Sequence, residues 1–465
     1  MRIFGKLVIA GAVLFGLLQL VRPSVPARPA TAEVQAPPQV RQILEKSCYS
    51  CHSDQRRLAW FDQIVPVYWL VRHDILTARG RLDFSTLGSK PPAAQKATLY
   101  ESVNMIQLGA MPLPSFVSLH PEAKVTPEEL AVLKAYLSPW APAASQSGSA
   151  PPVGHTNTGA ALAAVPGATP PLISLASVQP ELDGFPFDPN FEDWKPLSFT
   201  DRGDNNTFRF VLGNDIAVKA AQSGNISPWP DGVRFAKIAW QQEAGPDGLV
   251  YPGRFVQVEL MLKDARQYKE TDGWGWGRWR GLDLRPYGQD ARFVNECTSC
   301  HMPVRGNDFV YTLPISPASM SGEEVVNNRA AALPANLPYQ PLSWNAITMY
   351  VDTKTHTMAT LYGNATAMQA VHARGATGAD AKGPSYPSGA VLVLVTWAQR
   401  DDPHWFGARI PDAPQSVEFV TIARKGEMNS YRRFAGTGLI EEHTNTGAAV
   451  QRMDFILNLA PARLP

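Results

Sequence analysis

The chain holds only four cysteines in 465 residues, and every one of them falls inside a C-x-x-C-H motif. It also lacks any excess of charge, with 42 Lys and Arg against 41 Asp and Glu and a formal net charge of +1. That balance argues against nucleic acid as a partner and against electrostatic docking on anionic lipid. The length excludes a single core, and two to four domains is the natural expectation. Proline is what the chain has in plenty, at 41 residues. Loops, edge strands and linkers should therefore outweigh long helices.

The two cysteine motifs are Cys48-Tyr49-Ser50-Cys51-His52 and Cys297-Thr298-Ser299-Cys300-His301. In a c-type haem each thiol adds to one vinyl group of the porphyrin, and the adjacent histidine rises beneath the iron as proximal ligand. A zinc site would bring the pairs to within about 15 to 20 residues of each other, and these are separated by most of the chain. A redox dithiol has no need of the histidine. The expectation is two covalently bound haem c groups, attached through Cys48, Cys51, Cys297 and Cys300, with His52 and His301 on the irons.

Residues 1–33 read as a signal peptide or an inner-membrane anchor. Arg2 and Lys6 precede Leu7 to Val21, which is apolar except for Gln19. Ala30-Thr31-Ala32 offers a cleavage site, whereas Arg22 closes the apolar run as it would in an uncleaved anchor. Both readings place the remainder in the periplasm, soluble or anchored to the inner membrane.

Residues 141–184 are rich in Ala, Pro and Ser and nearly free of charge, the composition of a linker. They set off a first unit, 34–140, expected to be all-α. Gln39 to Ser47 leads as a helix into the first haem motif. Thr126-Pro127-Glu128-Glu129 is a capping box, followed by Leu130, Leu133 and Leu137 at helical spacing. Between them Gly109-Ala110-Met111-Pro112-Leu113-Pro114 offers a thioether on a proline-stiffened loop. Met111 is the expected sixth ligand, with His73 and His120 as competitors. Methionine ligation would leave no open position, which suits electron transfer.

Cys48 to Cys51, Trp60-Phe61, Pro66-Val67-Tyr68-Trp69-Leu70-Val71 and Gly109-Ala110-Met111-Pro112 resemble the bacterial haem-binding domain family of cytochrome c type. The resemblance covers most of 34–140.

The second unit, 185–325, reads as an antiparallel sheet whose haem motif comes late. Phe208 to Leu212, Val233 to Trp240 and Phe255 to Leu262 are strand-like, parted by turns at Pro230-Asp231-Gly232, Gly245-Pro246-Asp247-Gly248 and Asp272-Gly273. Lys237 shares a strand face with Val233 and Phe235. An amine there is expensive unless it is paired, neutralised or covalently used, or unless the face looks outward.

Arg209, Pro230-Asp231-Gly232 followed by Lys237, Trp274-Gly275, Cys297 to His301 and Asn307-Asp308-Phe309-Val310-Tyr311-Thr312 resemble cytochrome P-460. In that family a lysine after this turn is joined through its amine to a meso carbon of the haem. The family oxidises hydroxylamine; its relatives, the cytochromes c′-beta, lack the bond and bind nitric oxide. The resemblance implies that Lys237 is the cross-linking residue, His301 the proximal ligand and Arg209 a distal-pocket group. No methionine is placed to close the sixth position here. Proton removal needs a base, and Glu259 and Glu296 are the carboxylates to inspect.

Residues 335–465 repeat the second unit without cysteines. Pro341 to Trp344 echoes Pro196 to Phe199, Tyr362-Gly363-Asn364 echoes Leu212-Gly213-Asn214, Pro387-Ser388-Gly389 echoes Pro230-Asp231-Gly232, and Val417-Glu418-Phe419 matches Val258-Glu259-Leu260. In this register Leu394 stands where Lys237 stands, and Ala359 near Arg209. The expected whole is a multidomain α + β chain: an all-α cytochrome c-like domain, then two antiparallel-sheet, P-460-like (α+β) domains, the second degenerate and haem-free. The expected activity is hydroxylamine oxidation at the second haem, with electrons leaving through the first to a soluble cytochrome. Nitric oxide binding and plain dihaem electron transfer are the alternatives. A homodimer or an intramolecular pseudo-dimer is the expected pairing.

Overall fold

In the computed structural model of the protein, residues 2–26, 29–55, 57–137, 173–316, 326–375 and 385–465 are described. They fall into two compact units, one on each side of residues 138–172.

The N-terminal unit is all-helical: α1 (Arg2–Leu18), α2 (Pro38–Ser47), α3 (Tyr49–His52), α4 (Val67–Arg81), α5 (Phe84–Leu87), α6 (Pro92–Gln107), α7 (Pro114–Leu119) and α8 (Pro127–Leu137). The capping box at α8 forms in both directions: Thr126 N donates to Glu129 Oε2 at 2.9 Å, and Glu129 N to Thr126 Oγ1 at 3.2 Å. Val40, Ile43 and Leu44 of α2, Leu99, Tyr100 and Val103 of α6 and Leu133 and Leu137 of α8 are buried. Among the described residues no helix is long and apolar enough to cross a membrane.

The C-terminal unit carries twelve described strands, β1 (Lys195–Arg202), β2 (Thr207–Gly213), β3 (Arg234–Ala244), β4 (Val250–Lys263), β5 (Trp274–Arg280), β6 (Arg285–Pro286), β7 (Asn345–Asp352), β8 (Thr357–Gly363), β9 (Val391–Asp401), β10 (Ala408–Thr421), β11 (Ser430–Ala435) and β12 (Ile440–Glu442). Helices α9 (Asp215–Ser223), α10 (Val294–His301), α11 (Ala365–Gly375) and α12 (Thr446–Asn458) complete it. Every pairing is antiparallel. β1 to β6 form one meander and β7 to β12 a second, and the two meet twice: Val250 of β4 pairs with Val351 of β7, and Asp201 and Arg202 of β1 with Arg409 and Ala408 of β10. These two junctions are equivalent under a pseudo-twofold relation.

Strand alternation divides the side chains between two faces. Ala236, Ile238 and Trp240 of β3 join Val393, Val395 and Trp397 of β9 in one central core, whereas Val233 and Phe235 enter a separate cluster on the outer face. The central core takes residues from both repeats, so 185–325 and 335–465 are halves of one body and not separate domains. The linker also ends earlier than its composition suggests. Its residues 141–172 lie outside the described ones, but Ile173, Leu175 and Val178 pack on the central core, and buried Glu181 accepts from the backbone NH of Arg278 at 3.1 Å.

The repeat register holds at three of the four echoes. Gly213 pairs with Lys195 and Gly363 with Asn345, so Leu197 matches Ile347. Pro341–Ser343 is thereby the counterpart of the short helical turn Phe191–Asp193, not of Pro196 to Ser198. Composition pulled that echo out of register by five residues, because both segments read Pro-Leu-Ser-aromatic. The Gly-Asn pairs are exact counterparts in role: a Cβ on Gly213 or Gly363 would come within 2.6 Å of Leu197 or 2.8 Å of Ile347, and Asn214 and Asn364 accept from the NH of Ala217 and Ala367.

Candidate haem sites

At the first motif Cys48 joins α2 to α3, and His52 ends α3. His52 Nδ1 lies 3.0 Å from the carbonyl oxygen of Leu82, which leaves Nε2 as the nitrogen free for iron. Met111 is half-buried in the loop between α6 and α7, its NH donating to Met105 O at 3.1 Å. The competitors are otherwise placed. His73 is exposed on α4, and buried His120 holds Asp62 Oδ1 at 3.0 Å through Nε2 while its ring stacks on Phe116 at 4.1 Å.

The second motif sits on α10, which packs on the outer face of the first meander, with Cys297 against the cluster that contains Val233, Phe235, Trp274 and Trp276. His301 repeats the arrangement of His52, its Nδ1 lying 2.7 Å from Phe309 O. The loop that presents this carbonyl is pinned by Asp308, which accepts from Lys263 Nζ at 2.7 Å and Trp229 N at 2.9 Å. Asp308 and Phe309 both hold positive φ, 47° and 65°, a conformation that such anchoring maintains. Burial pulls the His301 imidazole down to about 4, so it is neutral and able to ligate at physiological pH.

Lys237 lies on the same outer face. Glu259 stands directly across from it on β4, and Arg278 directly across from Glu259 on β5. Lys237 and Glu259 form an ion pair, and Arg278 Nε approaches Glu259 Oε1 at 3.4 Å. The amine is therefore compensated without any covalent bond. Burial still draws Lys237 down to about 8 against the pull of Glu259. Burial by itself would raise Glu259, but Arg278 and Lys237 outweigh it and hold the carboxyl well below the usual carboxylate range.

Arg209 on β2 completes the group, brought down to about 10 by burial first and by neighbouring Arg202 second. Lys237, Glu259 and Arg278 stand side by side on the sheet face against which α10 packs, near enough for their charges to act on His301. Glu259, one of the two carboxylates to inspect, stands between Lys237 and Arg278 in this row. Glu296 is exposed on α10 and accepts from Tyr287 Oη at 3.1 Å.

The residues there fit a haem. Buried Arg209 Nε and Trp276 Nε1 have no acceptor within the protein, and such orphaned donors call for a ligand that carries acceptors. The ring of Trp276 meets His301 at 4.5 Å. The cysteines supply attachment and His301 supplies a ligating nitrogen.

The cysteine-free half also reaches this site, through contacts that no local sequence pattern announces. The Tyr311 ring lies 5.1 Å from His301 on one side and 5.5 Å from Trp405 on the other, and Tyr311 Oη donates to Cys300 O at 2.7 Å. His404 Nδ1 lies 2.7 Å from Tyr311 O. Trp405 is itself held by Arg202, 4.3 Å above its ring, and by Asp204 at 3.3 Å. Arg278 was also missed, although the alternation Trp274-Gly275-Trp276-Gly277-Arg278 puts it on the face of Trp274 and Trp276.

In the second half an apolar cluster of described residues occupies the corresponding place. Ala359 and Leu394, at the positions of Arg209 and Lys237, pack with Ile456 and Leu459 of the α12 region in one apolar cluster. Glu418, opposite Leu394 as Glu259 is opposite Lys237, is buried and held by Arg452 of α12 at 2.6 and 2.8 Å.

Comparison with known families gives the same division. Residues 12–139 match the haem-binding domain family, and residues 189–312 and 339–444 match cytochrome P-460. No curated protein matches the chain. The chain joins a haem-binding domain to a cytochrome P-460 region, and it is a haem protein.

Proposed function

We propose that this haem-binding, cytochrome P-460-containing chain carries two covalent haem c groups and oxidises hydroxylamine at the second. Attachment is through Cys48 and Cys51, with His52 as ligand, and through Cys297 and Cys300, with His301 as ligand. The observation that carries the reading is the cross-strand row of Lys237, Glu259 and Arg278 on the sheet face that receives the His301 helix, with the unpaired donor of Arg209 on the neighbouring strand. A haem held there by Cys297, Cys300 and His301 would supply a redox-active iron and a sink for electrons.

The chain's own residues then have separate tasks. His301, fixed by Phe309 O, orients the iron's protein ligand. Glu259 is ionised and able to accept a proton from a bound N–H or O–H, while Arg209 faces the same space with an uncommitted donor. Lys237 is assigned to the haem cross-link. Forming that C–N bond removes one hydrogen from the amine and one from the porphyrin carbon, and an oxidant of the peroxide class must take the two electrons. Loss of the ammonium would also release Glu259 from its strongest contact and let its pKa rise toward that of a useful base. The first haem, which Cys48, Cys51 and His52 would hold with Met111 as the candidate second ligand, would pass electrons to a soluble cytochrome in the periplasm.

The Lys237–Glu259 ion pair also favours a second reading. A lysine satisfied by a carboxylate needs no covalent bond, which would leave a nitric oxide binder of the c′-beta kind. The mass of the haem peptide containing Lys237 separates the two. A peptide joining Lys237 to the Cys297–Cys300 haem, with turnover of hydroxylamine against an added acceptor, supports the oxidase. An unmodified Lys237 peptide with no turnover leaves the gas binder.

A further inference from the structure

Helix α1 is the least accounted-for element of the N-terminal unit. Every residue from Phe4 to Leu17 is exposed, and Lys6 is the one charged residue among them. A helix that is apolar on all sides belongs in a protein core or in lipid, and this one has no core around it. Phe4 is 74% exposed, Leu7 66%, Ile9 66%, Leu14 60% and Leu17 56%. An apolar surface of that extent in water marks an interaction site.

The segment that follows is built into the haem-binding domain. The Gln19 side chain donates to Val65 O and accepts from Val65 N, both at 3.0 Å. Trp69 Nε1 donates to Val21 O at 2.8 Å, Tyr68 Oη to Pro23 O at 2.6 Å, and Arg72 Nε to Ser24 O at 3.1 Å. Val25 is 3% exposed and shares a cluster with Val65, Tyr68 and Ile75, against which Leu18 and the haem cysteine Cys51 pack. Further along, Thr31 N and Ala32 N donate to Ser85 O, and Gly88 N to Ala32 O. Cleavage after Ala32 would strip this cluster of Leu18 and Val25 and leave Tyr68, Trp69 and Arg72 without acceptors. The match to the haem-binding domain begins at residue 12, inside α1.

We propose that residues 2–32 remain on the mature protein as part of the haem-binding domain, and that α1 inserts into a lipid bilayer. The base of α1 is furnished for a membrane interface. Leu20 and Val21 are exposed, and Val67, Trp69 and Leu70, beside them through the Trp69–Val21 bond, are exposed as well. Tryptophan with its ring in the headgroup region and its N–H bonded inward is the usual occupant of such a belt. The 17 residues of α1 reach about 25 Å, short of the hydrocarbon thickness of about 30 Å, so the helix enters the bilayer without crossing it. The near-neutral net charge is no obstacle, because insertion of this kind is driven by apolar area.

The test uses the full chain, produced with c-type haem maturation and purified in detergent. Intact mass should show that residues up to Ala32 are retained. After detergent removal the protein should float with vesicles of phosphatidylcholine and phosphatidylglycerol and resist a high-salt wash. The double variant Leu14→Glu, Leu17→Glu should keep the haem spectrum and lose flotation by about tenfold or more, because charged groups are costly in the hydrocarbon. A mature protein beginning after Ala32 overturns the proposal. So does an intact protein that stays with the soluble fraction, whether as a monomer or as an oligomer in which a second copy covers α1. Flotation of the double variant at the wild-type level overturns it equally.

Discussion

The two halves of the C-terminal unit run the same strands through the same pairings and differ in what closes the outer face. In the first, the eight-residue α10 brings Cys297, Cys300 and His301 to the sheet. In the second, the 13-residue α12 sends Ile456 into the apolar cluster and fills the corresponding place. A carboxylate stands at the same strand position in both, half-buried Glu259 and buried Glu418, and each has a cation. The first half takes it from adjacent strands, as Lys237 and Arg278; the second takes it from the helix, as Arg452, and places Leu394 where the lysine stood. The lesson is that a carboxylate on a packed sheet face must be compensated from somewhere. Where the compensating amine comes from the strand, it stands beside the Cys297–His301 motif; where it comes from the helix, an apolar cluster fills the corresponding place.

The sharpest break in this comparison is Lys237→Leu, which gives the first half the residue of the second. It should retain the haem, lose the cross-link and abolish hydroxylamine turnover. A variant that turned over at the native rate would remove Lys237 from the chemistry. Glu259→Gln tests the proposed base, and steady-state assay should show a loss of about 100- to 10,000-fold, the usual worth of a positioned proton acceptor.

In the second half Arg452→Leu should cost about 3 kcal/mol in denaturant unfolding, because it leaves Glu418 buried without its cation. The double variant with Glu418→Gln should recover much of that loss. If the single variant were as stable as the native chain, the idea that α12 compensates the carboxylate would be wrong.

Asp201 probes the junction between the halves. It is buried on β1 and accepts from Gln242 of the first half at 2.6 Å and from Gln399 of the second at 2.9 Å. Burial raises its carboxyl to about 6 from an ordinary value near 3.8. The folded state therefore holds this proton more tightly than the unfolded state, and its contribution to stability is full below pH 3.8 and lost as pH rises through about 6. The loss is on the order of 3 kcal/mol. Asp201→Asn should flatten that part of the stability–pH curve, as read from unfolding at pH 4, 5, 6 and 7.

The smallest expected effect is at Trp405, where the haem-free half supports Tyr311 beside His301. Trp405→Leu should shift the iron–histidine vibration of the ferrous protein and leave unfolding nearly unchanged. An unaltered vibration would reduce the contact to packing.

The haem motifs were legible in the sequence because covalent attachment needs a fixed local spacing that nothing else in the chain imitates. The capping box at Thr126, the strands around Phe208, Lys237 and Val258, and the equivalence of Leu394 with Lys237 were legible for the same reason, since period and turn chemistry are local. The linker's end was not, because Ile173 to Val178 earn their burial from strands far along the chain. The partner of Lys237 was not, either. Alternation within β3 shows which face the amine takes, but only the register of β3 on β4 puts Glu259 across from it, and only β5 adds Arg278. The sequence by itself determined the chemistry the chain can hold: two C-x-x-C-H sites, a lysine on an apolar face, and a repeat that has lost both. Tertiary structure decided that the repeat is half of one body, that its loop at His404 and Trp405 touches the first half's site, and that α12 fills the corresponding place in the second half. Those outcomes depend on contacts between residues distant in sequence, which no local pattern encodes.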